Sequence, residues 1–195
     1  MGSDTGGEPH ALWLLPPSAV AARLGGLIDR LASELAGPPF PPHVTLLGRV
    51  DLAAEEARRR AATLASELSP LTLRATGFGL LNEYYRALFL PIAAPPALWR
   101  AYLHANALFG IPDAAVAPFL PHLSLAYTDA PLSVRLAAAR RLVEGNPVEG
   151  IFWAGEGEAE QGGPDVHFNA AHLALIHAAG GPGDWVEVDR FPVGA

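Results

Sequence analysis

The stretch Pro39-Phe40-Pro41-Pro42-His43-Val44-Thr45-Leu46 returns 79 residues later as Pro118-Phe119-Leu120-Pro121-His122-Leu123-Ser124-Leu125. Each copy runs from prolines into His, an apolar residue, a hydroxyl residue and Leu. Each is followed within a few residues by Asp and an Ala/Arg-rich segment. A period this long that occurs once does not describe a solenoid; it predicts two related halves of one domain. In a strand, side chains at i and i+2 share a face. His43 then sits beside Thr45 and His122 beside Ser124, while Val44, Leu46, Leu123 and Leu125 point the other way into a core. Packing alone explains recurring prolines and leucines. It gives no reason for a polar His and a hydroxyl to recur on one face.

Around the motifs, strand and helix patterns alternate. Residues 10–15 read as a buried strand closed by Pro16-Pro17, and residues 18–36 carry apolar positions at helical spacing, ended by Gly37-Pro38-Pro39. Residues 44–50 read as a strand, after which Asp51 is expected to cap a helix running to about Leu68. Residues 71–81 and 84–92 flank Asn82-Glu83 and predict a hairpin with a tight turn. Pro95-Pro96 opens another helix through Phe109; residues 123–127 are strand-like and residues 129–144 helical. Residues 155–165, rich in Gly and Glu, predict a mobile surface insertion. The last strands are expected at 171–178 and 185–191, joined by Gly180-Gly181-Pro182-Gly183. The expected fold is α+β and bilobal: two pseudo-symmetric lobes of antiparallel sheet with flanking helices and a central cleft. Residues 1–9 are expected to be a disordered tail, and residues 10–195 a single bilobal domain.

Composition narrows the chemistry. The 195 residues contain no cysteine, which excludes a thiolate nucleophile, a thiolate metal site and a disulfide framework, and makes the cytoplasm the expected compartment. No apolar run approaches the ~20 residues of a membrane helix, so no membrane partner is expected. A net charge of -7 with 13 Lys and Arg lacks the basic surface that long nucleic acid needs, and favours a small phosphate ester. The run Arg58-Arg59-Arg60 reads as a solvated helix face. His172 and His177, five apart, fall on opposite faces of a strand and make poor co-ligands. His10, His104 and His167 lack carboxylates at ligand spacing, so no metal site is expected. Gly77-Phe78-Gly79 lacks the rest of a dinucleotide fingerprint.

If the two motif strands face one cleft, two imidazoles and two hydroxyls converge on a volume the size of a phosphate. With an ordinary pKa near ~6.5, one imidazole can be neutral and the other protonated near neutral pH. One takes the proton of attacking water and the other protonates the departing ribose oxygen. Each such role is worth ~10²–10⁴-fold. Thr45 and Ser124 would donate to the non-bridging oxygens. The scheme requires no metal or other cofactor.

These residues resemble the two-histidine (2H) phosphoesterase superfamily, whose hallmark is a pair of His-x-Thr/Ser-hydrophobic motifs. The likeness is to its plant-type cyclic phosphodiesterases, through Leu12-Trp13-Leu14-Leu15-Pro16, Gly37-Pro38-Pro39-Phe40-Pro41-Pro42-His43 and Pro121-His122-Leu123-Ser124-Leu125-Ala126-Tyr127. The resemblance implies a site between two lobes that opens 2',3'-cyclic nucleotides to 2'-phosphates, or the 1'',2''-cyclic phosphate of ADP-ribose. It implies that Tyr127 helps hold substrate and that Trp13 offers a surface to the nucleobase. Strand alternation puts Tyr127 on the face opposite His122 unless the strand bulges or ends at Ala126. The chain is expected to act as a monomer. Two other readings remain: an RNA 2'-5' ligase or RNA-end cyclic phosphodiesterase of the same superfamily, and a non-catalytic module that binds a phosphorylated ligand.

Overall fold

A computed structural model describes residues 7–112, 118–144, 151–153 and 166–194. The insertion expected at 155–165 and residues 1–6 of the expected tail lie outside the described residues.

A strand-helix-strand-helix unit occurs twice. The elements β1 (Glu8–Leu15), α1 (Ser18–Glu34), β2 (Val44–Leu52) and α2 (Ala54–Glu67) form the first. After β3 (Thr72–Arg74) and β4 (Phe78–Leu80), the second follows as β5 (Leu88–Pro91), α3 (Pro96–Leu108), β6 (His122–Ala126) and α4 (Leu132–Glu144). The chain then continues through β7 (Ile151–Trp153), β8 (His167–Asn169), β9 (His172–His177) and β10 (Val186–Pro192). Eight strands make one sheet in the order β10-β9-β1-β2-β6-β5-β4-β7, and β3 pairs with β8 in a second. The large sheet is antiparallel except where β4 runs parallel to β7. The fold is the expected α+β one. Its two lobes meet where Val44 of β2 pairs with Leu123 of β6.

All four helices bury their apolar sides with one face of the sheet. α1 buries Leu24, Ile28, Leu31 and Ala32, the spacing of a helix stripe, and its Leu24, Ile28 and Leu31 share a core with Leu14, Val44, Leu46, Leu123 and Leu125. Gly25 and Gly26 of α1 face open space, so the helix keeps its packing stripe despite their low propensity. Leu14, Leu46, Leu123 and Leu125 are among the largest fully buried side chains, each worth ~1.5–3 kcal/mol in burial. A one-residue slip of either central strand would turn them to solvent, so the leucines of the motif fix the face on which its histidine appears. Among the described residues the opposite face carries no helix. It has a smaller cluster of Ala11, Trp13, Leu15, Ala174 and Ile176.

Two local expectations are corrected. Asp51 is no helix cap: it lies within β2 and pairs with Arg49 at 3.0 Å, while α2 starts after Ala53 with Glu55 and Glu56 in its first turn, where the helix dipole favours acids. Arg58, Arg59 and Arg60 pair with those acids along the helix, and Arg58 also reaches Asp189. The hairpin expected here forms, as the antiparallel pair of β4 and β5, but without a tight turn at Asn82-Glu83. β3 leaves to pair with β8, and β4 and β5 are joined by a wide loop containing a single 3-10 turn at Tyr84–Arg86. The reason lies some fifty residues away, in the buried Arg135 of α4. Its guanidinium donates to the carbonyls of Leu81, Ala87 and Ala130 and to the side chain of Asn82. Those bonds hold the loop open around a cation that would otherwise lack partners.

Candidate active site

Continuing the register of the Val44–Leu123 pair places His43 opposite Ser124 and Thr45 opposite His122. The four side chains share the helix-free face as a square, with the histidines on one diagonal. Such a diagonal separates strand positions by roughly 7–8 Å. Flanking strands extend the rows: Trp13 lies opposite Thr45, and Phe89 and Pro91 of β5 lie opposite Ser124 and His122. Two irregularities in the β1/β2 ladder, between His10 and Leu12 and between Leu12 and Trp13, set Trp13 at this height.

The two imidazoles are oriented alike. Nδ1 of His43 bonds the carbonyl of Pro41 at 2.7 Å, and Nδ1 of His122 bonds the carbonyl of Leu120 at 2.8 Å. A carbonyl only accepts, so Nδ1 carries the proton in each neutral ring and Nε2 is left with a lone pair. The proline-rich run before each histidine thus supplies the carbonyl two residues back that fixes the tautomer.

Their surroundings differ. His43 is buried, stacked against Trp13 at 3.6 Å with the planes 7° apart, and flanked by Phe40. Burial pulls its pKa from 6.5 down to about 4, opposed by the Pro41 carbonyl, with a further downward push from His122. His122 is partly exposed and has the edge of Phe89 at 5.5 Å. Its pKa is also lowered, by desolvation first and by Arg86, while the Leu120 carbonyl and Glu83 act in the opposite sense. The Phe89 ring lies over Gly79, where any Cβ would collide with it. That glycine belongs to the run rejected above as a dinucleotide motif, and its bareness lets Phe89 pack beside His122.

Tyr127 reaches the site because β6 ends at Ala126. Released from alternation, its hydroxyl lies 3.5 Å from Nε2 of His43. The ring is buried and stacked on Phe40 at 3.8 Å, and burial pushes its pKa up. Thr45 is half-buried beside this group. The Ser124 hydroxyl donates to the carbonyl of Tyr85 at 2.8 Å and also meets the Tyr127 hydroxyl. To donate to a ligand it must leave that carbonyl. Trp13 is only 5% exposed, and the His43 ring occupies one of its faces.

Three contributors were not singled out in the sequence. Tyr85 and Trp185 approach one another from the two lobes with centroids 5.9 Å apart and 26° between planes, and each also has its ring against Tyr127. Arg135 secures the loop that carries Tyr85. An arginine on the apolar side of a helix was the available signal for the last; nothing local marks Tyr85 or Trp185.

Beside Trp13 the same face opens into a groove of about 580 Å³, walled by Leu15, Ile176, Trp185 and prolines, with His172, Glu187 and Arg190 at its border. Its size is that of a small-molecule site, well beyond one phosphate.

The sequence and the fold have known counterparts. The profile of the 2'-5' RNA ligase superfamily matches residues 16–182. Over 122 residues the chain is 28% identical to a cyclic phosphodiesterase of Arabidopsis thaliana, a match that spans 63% of this chain and 66% of the plant protein. In three dimensions the chain is similar to E. coli LigT complexed with 3'-AMP, with a TM-score of 0.60 and 15% identity over 97% of this chain and 99% of that one. It is similar to the TT0787 protein of Thermus thermophilus, with a TM-score of 0.62 and 16% identity over 96% and 98%. At those identities the likeness is one of fold.

Proposed function

The chain belongs to the 2'-5' RNA ligase superfamily, a family of phosphoesterase and ligase chemistry, and we propose that it is a cyclic phosphodiesterase acting on 2',3'-cyclic nucleotides. The observation that carries this reading is the diagonal pair of imidazoles, each with Nδ1 tied to a carbonyl and Nε2 left for chemistry. The cyclic phosphate sits between them. His43, held neutral by burial, takes a proton from water at Nε2 as the water oxygen attacks phosphorus. His122, entering protonated, gives its Nε2 proton to the ribose 3'-oxygen as the P–O3' bond breaks, leaving a 2'-phosphate. The anionic substrate raises both pKa values, which strengthens the base and keeps the acid charged. Thr45, and Ser124 once it turns from Tyr85, donate to the non-bridging oxygens, and the Tyr127 hydroxyl orients the water beside His43.

A ribose 5'-hydroxyl in place of the water would run the same chemistry towards a 2'-5' linkage, the reading the superfamily's description favours. The sparse positive charge and the plant relative named a cyclic phosphodiesterase favour water.

Chelator-treated protein given 2',3'-cyclic nucleotides should release nucleoside 2'-phosphates at an undiminished rate. Activity that dies with chelator and returns with metal, or 3'-phosphate products, would overturn the mechanism.

A further inference from the structure

Trp185 stands where the square of catalytic side chains meets the groove. Its ring meets Trp13 edge-on at 5.7 Å, Tyr127 at 6.0 Å and Tyr85 at 5.9 Å. Its indole N–H is buried and has no hydrogen-bond partner among the described residues. A buried donor without an acceptor is costly, so a ligand acceptor arriving there would be favoured over one meeting an already satisfied donor. The loop before it is built to hold this position. Gly180 adopts φ +71, and Asp184 accepts from the Gly181 amide at 2.9 Å, ahead of Trp185 and β10.

The charged side chains on the groove are Glu187 and Arg190, which face the same side as Ile176 and Ala174 of β9. They are joined to one another by two bonds of 2.9 and 2.7 Å. A cation already matched by a carboxylate leaves no net charge for a second phosphate. An apolar, aromatic trough lined by a residue whose N–H lacks an acceptor, with a donor-acceptor pair at its rim, suits a flat, uncharged, hydrogen-bonding ring.

We propose that this groove binds the nucleobase of the substrate, with Trp185 supplying ring contact and an N–H donor and Glu187 with Arg190 reading the base's polar edge. The proposal rests on the cyclic phosphodiesterase reading above, since it is the ribose between phosphate and base that joins the two sites. The stacking surface is thereby moved from Trp13, whose face His43 occupies, to Trp185.

Two measurements test it separately from the reaction. In the first, calorimetry compares a nucleoside 2'-monophosphate with a methyl riboside 2-phosphate that has no base. The intact protein should hold the nucleotide at least tenfold more tightly. Trp185→Leu should abolish the difference and Trp185→Phe should retain part of it, each through weaker binding of the nucleotide rather than tighter binding of the base-free probe. Equal affinity for the two probes, or a preference that survives Trp185→Leu, overturns the proposal whether or not the protein turns over. In the second, kcat/KM is compared for 2',3'-cyclic nucleotides and methyl riboside 2,3-cyclic phosphate. Trp185→Leu should lower the former at least tenfold more than the latter, and Glu187→Gln should alter the ranking among bases. Equal losses on both substrates would make Trp185 a structural support and overturn the proposal. Turnover of neither substrate by the intact protein would instead defeat the phosphodiesterase reading, and the binding comparison would then decide the groove alone.

Discussion

The two lobes present the same motif to the same sheet face and give it opposite environments. In the first lobe His43 is sealed beneath Trp13 and Phe40, with no charged side chain among the causes of its pKa shift other than His122. In the second, His122 lies at a half-open edge between Phe89 and the Arg86–Glu83 pair, whose charges are 2.6 Å apart. The backbone bond from Nδ1 to the carbonyl two residues back is common to both. Duplication therefore explains where the imidazoles are and which nitrogen faces the cleft. The difference in their surroundings comes from residues outside the repeat: a tryptophan from β1 on one side, an arginine and a glutamate from the 81–87 loop on the other. A dry imidazole resists protonation, as the proposed base must; a wetter one loses less of its affinity for the proton that the proposed acid must give away.

The comparison breaks most visibly if one histidine is dispensable. His43→Ala and His122→Ala should each lower turnover of a 2',3'-cyclic nucleotide by ~10²–10⁴-fold while leaving the circular dichroism spectrum unchanged. Because acid and base serve one step, the double variant should be little worse than the poorer single one. Losses that multiply would assign the two imidazoles to separate steps, and full activity in either single variant would remove the pair from the mechanism.

Titration sharpens the same contrast. On the proposed mechanism the productive free enzyme has His43 neutral and His122 protonated, so kcat/KM should follow a bell. Its acid limb falls where His43 gains a proton, near pH 4. Its alkaline limb falls where His122 loses one, below the ordinary 6.5 because that pKa is lowered. The kcat profile should lie at higher pH, since bound phosphate anion raises both values. Stability carries the corresponding signature. An imidazole whose folded pKa is below its unfolded one contributes nothing unfavourable above pH 6.5 and destabilises the fold progressively as pH falls from there to about 4. His43→Gln should flatten that part of the stability curve in denaturant titrations. His122→Gln should do so less, and an equal flattening would make the lobes electrostatically alike.

Much of this was readable from the repeat because the repeat is a statement about faces. Alternation with Val44, Leu46, Leu123 and Leu125 put the histidines and hydroxyls together, and the leucines do lie in the core. What stayed hidden depends on partners distant in sequence. Asn82-Glu83 resembled a tight turn because nothing nearby shows Arg135 drawing three carbonyls towards it. The resemblance alone offered Trp13 to a nucleobase, and the ladder irregularities that set it opposite Thr45 leave no local mark. Tyr127 fell on the wrong face by alternation until the strand ended at Ala126, the condition its role required.

The smallest effects expected are those of the two hydroxyls, and they test whether the asymmetry extends beyond the histidines. Thr45 lies half-buried between Trp13 and His122 in the cross-strand row, placed to meet a phosphate oxygen. Ser124 already donates to the Tyr85 carbonyl, so part of what it would gain from substrate is spent on leaving that acceptor. Thr45→Ala should therefore lower kcat/KM by about 10–100-fold, the equivalent of one hydrogen bond to a charged group. Ser124→Ala should lower it by less than about tenfold and should also reduce folding stability by about 1 kcal/mol, through the unpaired Tyr85 carbonyl. Steady-state kinetics and urea denaturation of the two variants separate these contributions. If both lose activity equally and neither loses stability, Ser124 turns to the substrate as freely as Thr45 does, and the two halves of the site differ only in how their imidazoles are buried.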